Sequence, residues 1–406
     1  MKRRTLLKLL ALTPLTLSAQ EYSYSHKPHI LVVGAGIVGG SIAFHLSMAG
    51  ANVTVIDKQG PASHASRGTF AWINASYAKQ PQYYHALSQQ SVQAWHKLQQ
   101  QLNIPVKWGG SLEWFQDHTK QQKLIGLIAE QQRWGEAARI ISAEQASELE
   151  PQVNFTGASK IAFSGNDGAV DPVLATQILL QAAKAMGTEV IYPSELIDVE
   201  YNDKRQVAVQ TTTGRIEVDK IVLATGAATG IVKQIANVDI PQRSTPGAIV
   251  ITGPMPLLLN RIIVAPGVHI HQRLDGRIVL GEQAGAPKND AHKQRLSTRA
   301  NQFPSKEIAD QHAQRILDIA KQYVPDISNS KIEQVYIGWR PMPLDGHPVL
   351  GYSPNRDSVY LAMMHSGVTL APIVGHLVAQ EIMSNKPLEQ LEHYRPDREF
   401  KYVKRY

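Results

Sequence analysis

The chain has 406 residues, of which 43% are hydrophobic and 18% charged, a composition typical of a globular protein long enough for two domains. Its formal net charge is +7, but without the four basic residues among the first nineteen it falls to +3, which gives little support to nucleic-acid binding. The absence of cysteine excludes disulfides, cysteine-ligated iron–sulfur clusters and cofactors linked through cysteine.

The first nineteen residues predict an export signal. A basic start with Arg3, Arg4 and Lys8 precedes an apolar stretch and small residues, which is the plan of a secretory signal peptide. The Arg3-Arg4 pair resembles a twin-arginine signal, which carries folded proteins. Lys8 and Pro14 interrupt the apolar stretch, which is also short for a membrane span. We therefore predict a signal peptide over residues 1–19 and a periplasmic or exported protein. The alternatives are peripheral anchoring to a membrane by this segment and an amphipathic arm on a cytoplasmic enzyme.

A strand, a helix and a second strand follow the polar linker. The apolar run 30–33 is rich in β-branched residues and predicts a buried strand. Residues 41–50 predict a helix closed by glycine, and 53–56 predict the second strand. This order is that of a βαβ unit, the building block of parallel sheets.

The turn between the first strand and the helix has the pattern of a dinucleotide site. Gly34 permits a tight turn, Gly36 allows close approach of a pyrophosphate, and Gly39 allows the helix to pack on the strand. Asp57 follows the second strand, 21 positions after Gly36, close to the spacing of a ribose-binding acid. A glycine-rich turn that binds nothing is the alternative.

Periodicity and capping signals continue along the chain. Ser142 begins a capping box. Further helices are predicted over 83–102, 119–139, 173–186, 306–323 and 372–384. Strands are predicted over 189–192, 196–201, 206–211, 215–218, 219–223 and 359–363, with antiparallel strands in 242–282 and a surface loop over 289–304.

These elements predict a discontinuous nucleotide-binding domain. The βαβ unit, the strand that begins at Asp219 and the last strand and helix belong in one parallel sheet, whereas the middle of the chain is antiparallel. We predict an α/β fold in which a Rossmann-like domain carries an inserted α+β domain with an antiparallel sheet. The predicted boundaries are 29–85 with 155–240 and 335–390 for the first domain, and 86–154 with 241–334 for the second.

Five stretches give a more specific indication than the glycine motif alone. They cover nearly all of the chain after the predicted signal: 34–39, 167–172, 223–227, 338–351 and 365–372. Together they resemble the D-amino-acid oxidase-like family of FAD-dependent oxidoreductases, which includes glycine and sarcosine oxidases and D-amino-acid dehydrogenases. The Gly-Trp-Arg-Pro stretch that begins at Gly338 carries most of the specificity.

The resemblance implies a site for non-covalently bound FAD. It places the pyrophosphate at the glycine-rich turn and at a second turn of small residues, the adenosine at the end of the second strand, and the flavin at the N-terminus of the last helix. The cofactor-binding residues implied in this way are Gly34, Gly36, Ile37, Val38, Gly39, Asp57, Lys58, Ser66, Arg67, Leu196, Thr225, Gly226, Gly367, Val368 and Thr369.

Arg340 is the candidate for contact with the substrate. In glycine oxidase-like members the arginine of this motif binds the substrate carboxylate, and a guanidinium offers two parallel N–H donors that match a carboxylate. The alternative is an ion pair between Arg340 and a structural acid such as Asp345.

Several histidines are candidates for other roles. His64 lies near the place where some relatives attach FAD through histidine, although a loop histidine that contacts the flavin or solvent fits its position better. His269 and His271 alternate on a predicted strand and share a face, and His365 begins the turn before the last helix. None of these has metal-ligand spacing with a supporting carboxylate, so no metal is predicted.

The resemblance implies FAD-dependent oxidation of an amino acid or a secondary amine. A hydride passes from Cα to the flavin, and the resulting imine is hydrolysed to an oxo acid. The electron acceptor is oxygen or a quinone. Oxidation of a 2-hydroxy acid is the alternative within the family and would require a base such as a histidine. A non-enzymatic flavoprotein and an NAD site are the remaining alternatives.

Overall fold

The computed structural model describes residues 27–75, 79–201, 207–282 and 301–403. The predicted signal peptide and most of the predicted loop over 289–304 lie outside these residues. Within them, no helix is both long enough and apolar enough to cross a membrane.

Helices of very different lengths alternate with the strands. In chain order they are α1 (Ile37–Met48), α2 (Gln82–Leu102), α3 (His118–Arg133), α4 (Ala143–Leu149), α5 (Pro172–Ala185), α6 (Thr229–Ala236), α7 (Lys306–Tyr323) and α8 (Gly367–Ser384), with 3₁₀ turns at Pro325–Asn329 and Glu389–Tyr394. The predicted capping box opens α4, where the Ser142 hydroxyl accepts from the Gln145 N–H and the Gln145 side chain accepts from the Ser142 N–H.

In the part of the chain that the structure describes, the strands form four sheets. They are β1 (His29–Val33), β2 (Asn52–Ile56), β3 (Trp72–Ile73), β4 (Val106–Trp108), β5 (Ser111–Glu113), β6 (Ala138–Ile141), β7 (Ile161–Ser164), β8 (Gly168–Val170), β9 (Glu189–Ile191), β10 (Leu196–Tyr201), β11 (Val207–Thr211), β12 (Gly214–Val218), β13 (Lys220–Leu223), β14 (Gln242–Pro254), β15 (Ile262–Ala265), β16 (Val268–Gln272), β17 (Arg277–Glu282), β18 (Ile332–Pro343), β19 (Val349–Ser353) and β20 (Arg356–Met363).

A six-stranded sheet has the order β19-β20-β13-β1-β2-β9 and is parallel except at β19. Ile30 and Val32 of β1 pack against α1 and α8 on one face. Leu31 and Val33 pack on the opposite face against α6 and the small sheet β10-β11-β12. Because both faces are covered, residues 30–33 of β1 are apolar in succession, which is the pattern that the sequence displayed.

The second large sheet has the order β18-β14-β17-β16-β15-β5-β7-β6 and is antiparallel except between β15 and β5. One face carries Ile263, Ile270 and Leu280, which pack with Ile316 of α7 in a fully apolar core. The opposite face carries Ile249, Ile251 and Val279, which pack with Phe70 and Tyr336. This arrangement confirms the predicted fold class, while the predicted domain boundaries stay a prediction.

Helix α3 is shorter than predicted. The helix ends at Arg133, and the expected continuation to 139 is wrong because the chain turns at Trp134 and at Gly135, whose φ of +88° is unfavourable for other residues. Residues 138–141 then form β6, paired with β7. The run of Gln and Glu in this stretch fits a helix, but burial of Ala138 and Ile141 against the sheet decides the outcome.

Helix α8 begins five residues earlier than predicted. Pro372 was expected at its first turn, where a missing N–H costs nothing, yet it lies inside the helix. The carbonyl of Val368, which Pro372 cannot bond, accepts instead from the Trp95 indole N–H at 3.0 Å. A side chain from α2, 273 residues away in sequence, therefore permits the earlier start.

Candidate active site

An elongated cavity of about 620 Å³ lies at the carboxyl ends of the parallel strands. Segments that follow β1, β2, β9, β13 and β20 all reach it, since these ends meet at one edge of the sheet. From there the cavity continues to the antiparallel sheet, where β14, β16, β17 and β18 contribute to its lining. The site thus has a parallel-sheet end and an antiparallel-sheet end.

The glycine-rich turn is built as the motif predicts. Gly34 has a φ of +108°. A Cβ on Gly39 would lie 1.9 Å from the Gly34 carbonyl oxygen, so only glycine permits this packing of α1 on the turn. No side chain caps α1 at Gly36, although the Ile37 N–H donates to the Ser66 hydroxyl at 3.0 Å. The start of α1 therefore offers N–H groups to an anion in the cavity.

Asp57 joins the glycine-rich turn to the turn after β2. One carboxylate oxygen accepts from the Ala35 N–H at 2.9 Å, and the other accepts from the N–H groups of Gln59 and Gly60. Asp57 and Lys58 also line the cavity, so the acid retains lone pairs for a sugar hydroxyl. Leu196 lines the same end of the cavity, at the start of β10.

Two further helices begin at the cavity without a side-chain cap. Helix α6 starts after Thr225 and Gly226, and α8 starts after Ser366, whose φ is +42°. At Gly226 a Cβ would meet only open space. Three helix N-termini, including that of α1, thus direct their partial positive charge toward one cavity.

The structure brings most of the predicted cofactor residues together. Those that line the cavity are Gly34, Gly36, Ile37, Val38, Asp57, Lys58, Ser66, Leu196, Thr225, Gly226, Gly367, Val368 and Thr369. Gly39 and Arg67 do not line it. Gly39 acts behind the turn, as described above. The Arg67 guanidinium lies 5.4 Å from the centroid of the Tyr336 ring, because the turn after His64 directs Ser66 rather than Arg67 toward the cavity.

His64 lies in the cavity wall. Its Nδ1 accepts from the Asn301 side-chain amide at 2.7 Å, which leaves Nε2 as the protonated ring nitrogen. Burial is the largest cause of the lowered pKa of His64, and the positive charge of Lys58 lowers it further. The ring is therefore neutral at neutral pH.

Arg340 lies on β18 and lines the antiparallel-sheet end of the cavity. Its guanidinium lies over Gly247 of the neighbouring strand β14, where a Cβ would be 2.7 Å from Nη2. The alternative partner, Asp345, binds Arg398 instead, at 2.8 and 3.2 Å. Arg340 is thus directed along the sheet toward the cavity rather than to Asp345.

Strand β18 approaches the loop after β2 at a glycine pair. A Cβ on Gly338 would lie 2.2 Å from the Gly68 carbonyl oxygen, and a Cβ on Gly68 would lie 2.4 Å from Gly338. This contact brings the strand that carries Arg340 against the loop that carries Ser66. It explains why the first position of the Gly-Trp-Arg-Pro stretch is glycine.

The two histidines of β16 share a face but differ in environment. His269 lines the cavity, while His271 lies behind Phe70 and hydrogen-bonds its carbonyl at 2.8 Å. Burial, together with the charge of Arg340, lowers the pKa of His269 to about 4, and burial with the charge of Arg273 lowers that of His271 to about 3. Both rings are neutral at neutral pH.

Sequence reasoning missed several residues of the lining. Phe70, Trp72, Lys79 and Asn301 all line the cavity. The ammonium group of Lys79 donates to the Ser366 hydroxyl at 3.1 Å. Phe70 and Trp72 alternate directly after a loop of small residues, and this period of two was the available signal. No such signal marks Lys79 or Asn301.

The cavity fits a long dinucleotide. Glycine turns leave room for a pyrophosphate, uncapped helix N-termini complement its charge, and an acid lies at one end, while an arginine and aromatic rings lie at the other. In the described residues no cluster of His, Asp or Glu has the grouping of metal ligands. Fold and site together define a dinucleotide-binding protein of the Rossmann-like type, with an arginine at the far end of its cavity.

Comparisons with known proteins give the cofactor. Residues 29–381 match the DAO family, described as FAD dependent oxidoreductase. The glycine oxidase of Bacillus licheniformis is 24% identical over 380 residues, which cover 91% of this chain and 96% of that protein. This chain belongs to the family of FAD-dependent oxidoreductases, and FAD is its cofactor.

Solved structures share the fold. A glycine oxidase structure from Geobacillus kaustophilus has a TM-score of 0.81 at 20% identity, covering 93% of this chain and 100% of that chain. An L-proline dehydrogenase structure from P. horikoshii has a TM-score of 0.78 at 24% identity, covering 91% of this chain and 97% of that chain.

Proposed function

We propose that this protein oxidises an amino acid or a secondary amine that carries a carboxylate, and that the imine product is hydrolysed by water to an oxo acid. Bound FAD supplies the oxidant, which accepts a hydride from the substrate Cα. The relatives named above, a glycine oxidase and an L-proline dehydrogenase, support this class of substrate.

The observation that carries the proposal is the position of Arg340. Its guanidinium lies in the same cavity as the start of α8, where the family places the flavin. A bidentate hydrogen bond to a carboxylate would fix the substrate in one orientation, which leaves Cα directed toward the cofactor. The aromatic rings of Phe70 and Trp72 line the same cavity.

The surroundings favour an amine over a hydroxyl as the reacting group. Removal of a hydroxyl proton requires a base, and His269, with a pKa of about 4, is a weak one. His271 does not line the cavity, whereas His365 does and is the candidate base for a hydroxy acid. An amine that binds in its neutral form needs no base, so its oxidation does not depend on any of these histidines.

Anaerobic bleaching of the flavin tests the proposal. The purified protein is mixed with D- and L-amino acids, N-methyl amino acids, proline and 2-hydroxy acids, and loss of the oxidised flavin absorbance is followed. Bleaching by an amino acid or secondary amine, but not by its hydroxy analogue, is expected. Bleaching by hydroxy acids alone would overturn the proposal in favour of a 2-hydroxy-acid dehydrogenase.

Substitution of the arginine tests its role. Arg340→Met should retain flavin and lower kcat/KM for a carboxylate substrate by roughly a hundredfold or more, since a charged bidentate contact is lost. Arg277→Met is the matched control, because Arg277 lies on the same sheet but pairs with Asp275 and Glu333 at the surface. Equal kinetics of Arg340→Met and the native protein would contradict the carboxylate contact.

The acceptor and the location form a separate proposal. We propose export to the periplasm by the twin-arginine route and transfer of electrons to a quinone or another carrier rather than to oxygen. The basic, apolar plan of residues 1–19 supports export. Cell fractionation with an Arg3→Lys, Arg4→Lys variant as control tests the route, and reoxidation of the reduced enzyme by oxygen or by a soluble quinone tests the acceptor.

A further inference from the structure

The stretch 167–172 has no role in the site described so far. Its first residue, Asp167, is fully buried, and its carboxyl group binds two separate segments of the chain, residues 72–75 and β5. One carboxylate oxygen accepts from the Trp72 indole N–H at 3.0 Å and from the Ser111 hydroxyl at 2.7 Å. The other accepts from the Ala75 N–H at 3.3 Å. A buried carboxyl group with three donors fixes the positions of the groups that donate to it.

Trp72 is the partner that reaches the active site. Its ring lines the cavity and makes an edge-on contact with His269, with centroids 6.2 Å apart and planes at 77°. His269 in turn lies close enough to Arg340 for the guanidinium charge to lower the pKa of the imidazole. Trp72 therefore belongs to the wall of the end where the substrate carboxylate is proposed to bind.

The backbone and the ring of Trp72 are held independently. Its carbonyl accepts from the Thr369 hydroxyl at 3.2 Å, and β3 pairs with β8 at Ala169. These contacts fix the main chain, while the ring itself packs with Ala169, Ile262 and Val264. The Asp167 carboxyl group accepts from the indole N–H and so holds the polar edge of the ring.

Asp171, the second acid of the same stretch, has a different structural role. Asp171 caps α5 through the N–H groups of Val173 and Leu174 and pairs with Arg273 at 2.8 Å. It does not line the cavity. The two acids of one motif thus separate into a helix cap and a contact with the cavity wall.

We propose that Asp167 is a positioning residue that holds the Trp72 indole as a wall of the substrate pocket and thereby sets which substrate side chains fit. The inference of a substrate pocket rests on the proposed function, whereas the contact between Asp167 and Trp72 does not. Release of the ring would allow it to rotate into or out of the cavity and change the space beside Arg340.

The first experiment measures the indole contact itself in the FAD-loaded protein. With ¹⁵N-labelled indoles, the protein gives at most six N–H signals, because the chain has 6 tryptophans, and Trp72→Phe identifies the signal of Trp72. Burial raises the pKa of Asp167 to about 7, so the spectra are compared at pH 9, where the carboxyl is ionised. In Asp167→Asn the Trp72 signal should then move upfield and exchange with solvent roughly tenfold faster, since a charged acceptor is replaced by a neutral one.

Ser111→Ala is the matched control. It removes the other donor to the same carboxylate oxygen, does not touch the cavity, and should leave the Trp72 signal and the kinetics within twofold of native. If Ser111→Ala displaces the signal as far as Asp167→Asn does, the acid acts through general packing and the proposal is wrong.

The second experiment measures selectivity. For two substrates that differ only in side-chain size, Asp167→Asn should change the ratio of their kcat/KM values by roughly tenfold, and Ser111→Ala should not. Adding Asp167→Asn to Trp72→Phe should change the ratio no further, because the indole N–H is already gone. An unchanged ratio in folded, flavin-replete Asp167→Asn would overturn the proposal.

Failure of the proposed function can be distinguished from failure of the positioning role of Asp167. If no amine bleaches the flavin of the native protein, the affinity for benzoate, read from the flavin spectrum, replaces the kinetic ratio. A benzoate affinity that differs by fivefold or more between Asp167→Asn and Ser111→Ala supports the positioning role, and equal affinities overturn it. Should Asp167→Asn fail to fold, Trp72→Phe and Ser111→Ala are compared in the same way.

Discussion

The two ends of the cavity are constructed in different ways. The parallel-sheet end is formed largely by backbone: glycines at 34 and 226, and the uncapped starts of α1, α6 and α8. The antiparallel-sheet end is formed by side chains, among them Arg340, Trp72 and His269, which come from three different strands.

The two ends should therefore respond to different kinds of substitution. Every residue except proline supplies a backbone N–H group. The parallel-sheet end therefore depends on the conformation of the main chain rather than on the identity of its side chains. At the antiparallel-sheet end the position of a side chain depends on its neighbours. The Arg340 guanidinium, for example, lies over Gly247, where any larger residue would displace it. The following predictions test this contrast, from the largest expected effect to the smallest.

Gly39→Ala should abolish FAD binding at the parallel-sheet end. The new Cβ would lie 1.9 Å from the Gly34 carbonyl oxygen, a backbone atom that cannot move without opening the turn. We expect loss of bound flavin and destabilisation by about 3 kcal/mol or more, measured by absorbance and by thermal unfolding. Gly40→Ala is the control, since its Cβ would meet Leu180 and Thr176 at 3.5 Å. Full flavin content in Gly39→Ala would refute the close-packing account.

Gly247→Ala should damage the antiparallel-sheet end alone. Its Cβ would lie 2.7 Å from Arg340 Nη2 and would displace the guanidinium. We expect a rise in KM of about tenfold with unchanged flavin content, because a bidentate contact depends on orientation. Gly126→Ala on α3, where a Cβ meets open space, is the control. A parallel loss of flavin would show that the two ends are not independent.

Glu113 should make stability depend on pH. It lies on β5, two residues from Ser111, and burial, with a smaller effect of the Asp167 charge, raises its pKa to about 8. The unfolded chain ionises near pH 4.5 while the folded one holds the proton, so stability falls as the pH rises from about 4.5 to 8. Glu113→Gln should remove a fall on the order of 5 kcal/mol, measured by denaturant unfolding across this range.

A contrasting variant distinguishes this effect from a general loss of charge. Glu150 is also buried, but it accepts from the Asn260 N–H and pairs with Arg261. Glu150→Gln should therefore destabilise the protein at pH 8, whereas Glu113→Gln should stabilise it. The same sign for both variants would argue against a carboxyl at Glu113 that stays protonated in the folded protein at neutral pH.

Ser91→Ala should weaken the flavin end only slightly. The Ser91 hydroxyl donates to the Thr369 carbonyl at 2.6 Å and so supports the start of α8. Trp95 also donates to this carbonyl, at 3.2 Å, so the expected loss is about 1 kcal/mol, with a small increase in the dissociation constant of FAD. Ser88→Ala on the same helix, which loses only a bond to the Tyr84 carbonyl, should leave FAD binding unchanged.

The contrast between the ends also explains what could be predicted from the sequence. Helix α8 was placed too late because the rule for proline is local, whereas the donor to the Val368 carbonyl is Trp95 of α2. Arg67 was expected at the cofactor because it neighbours Ser66, yet the turn after His64 directs it to Tyr336. Both differences arise from contacts between residues that are far apart in the chain.

The sequence by itself determined the βαβ unit, the glycine turn, the acid at Asp57 and the arginine motif at 338–341, because steric requirements and a family pattern are local in the chain. Only the tertiary structure decided that Arg340 lies over Gly247 while Asp345 binds Arg398, and that Asp167 holds Trp72. Sheet register and helix packing bring these residues together, across 95 positions in the case of Trp72 and Asp167. Such pairings depend on the whole fold and leave no periodic pattern in the sequence.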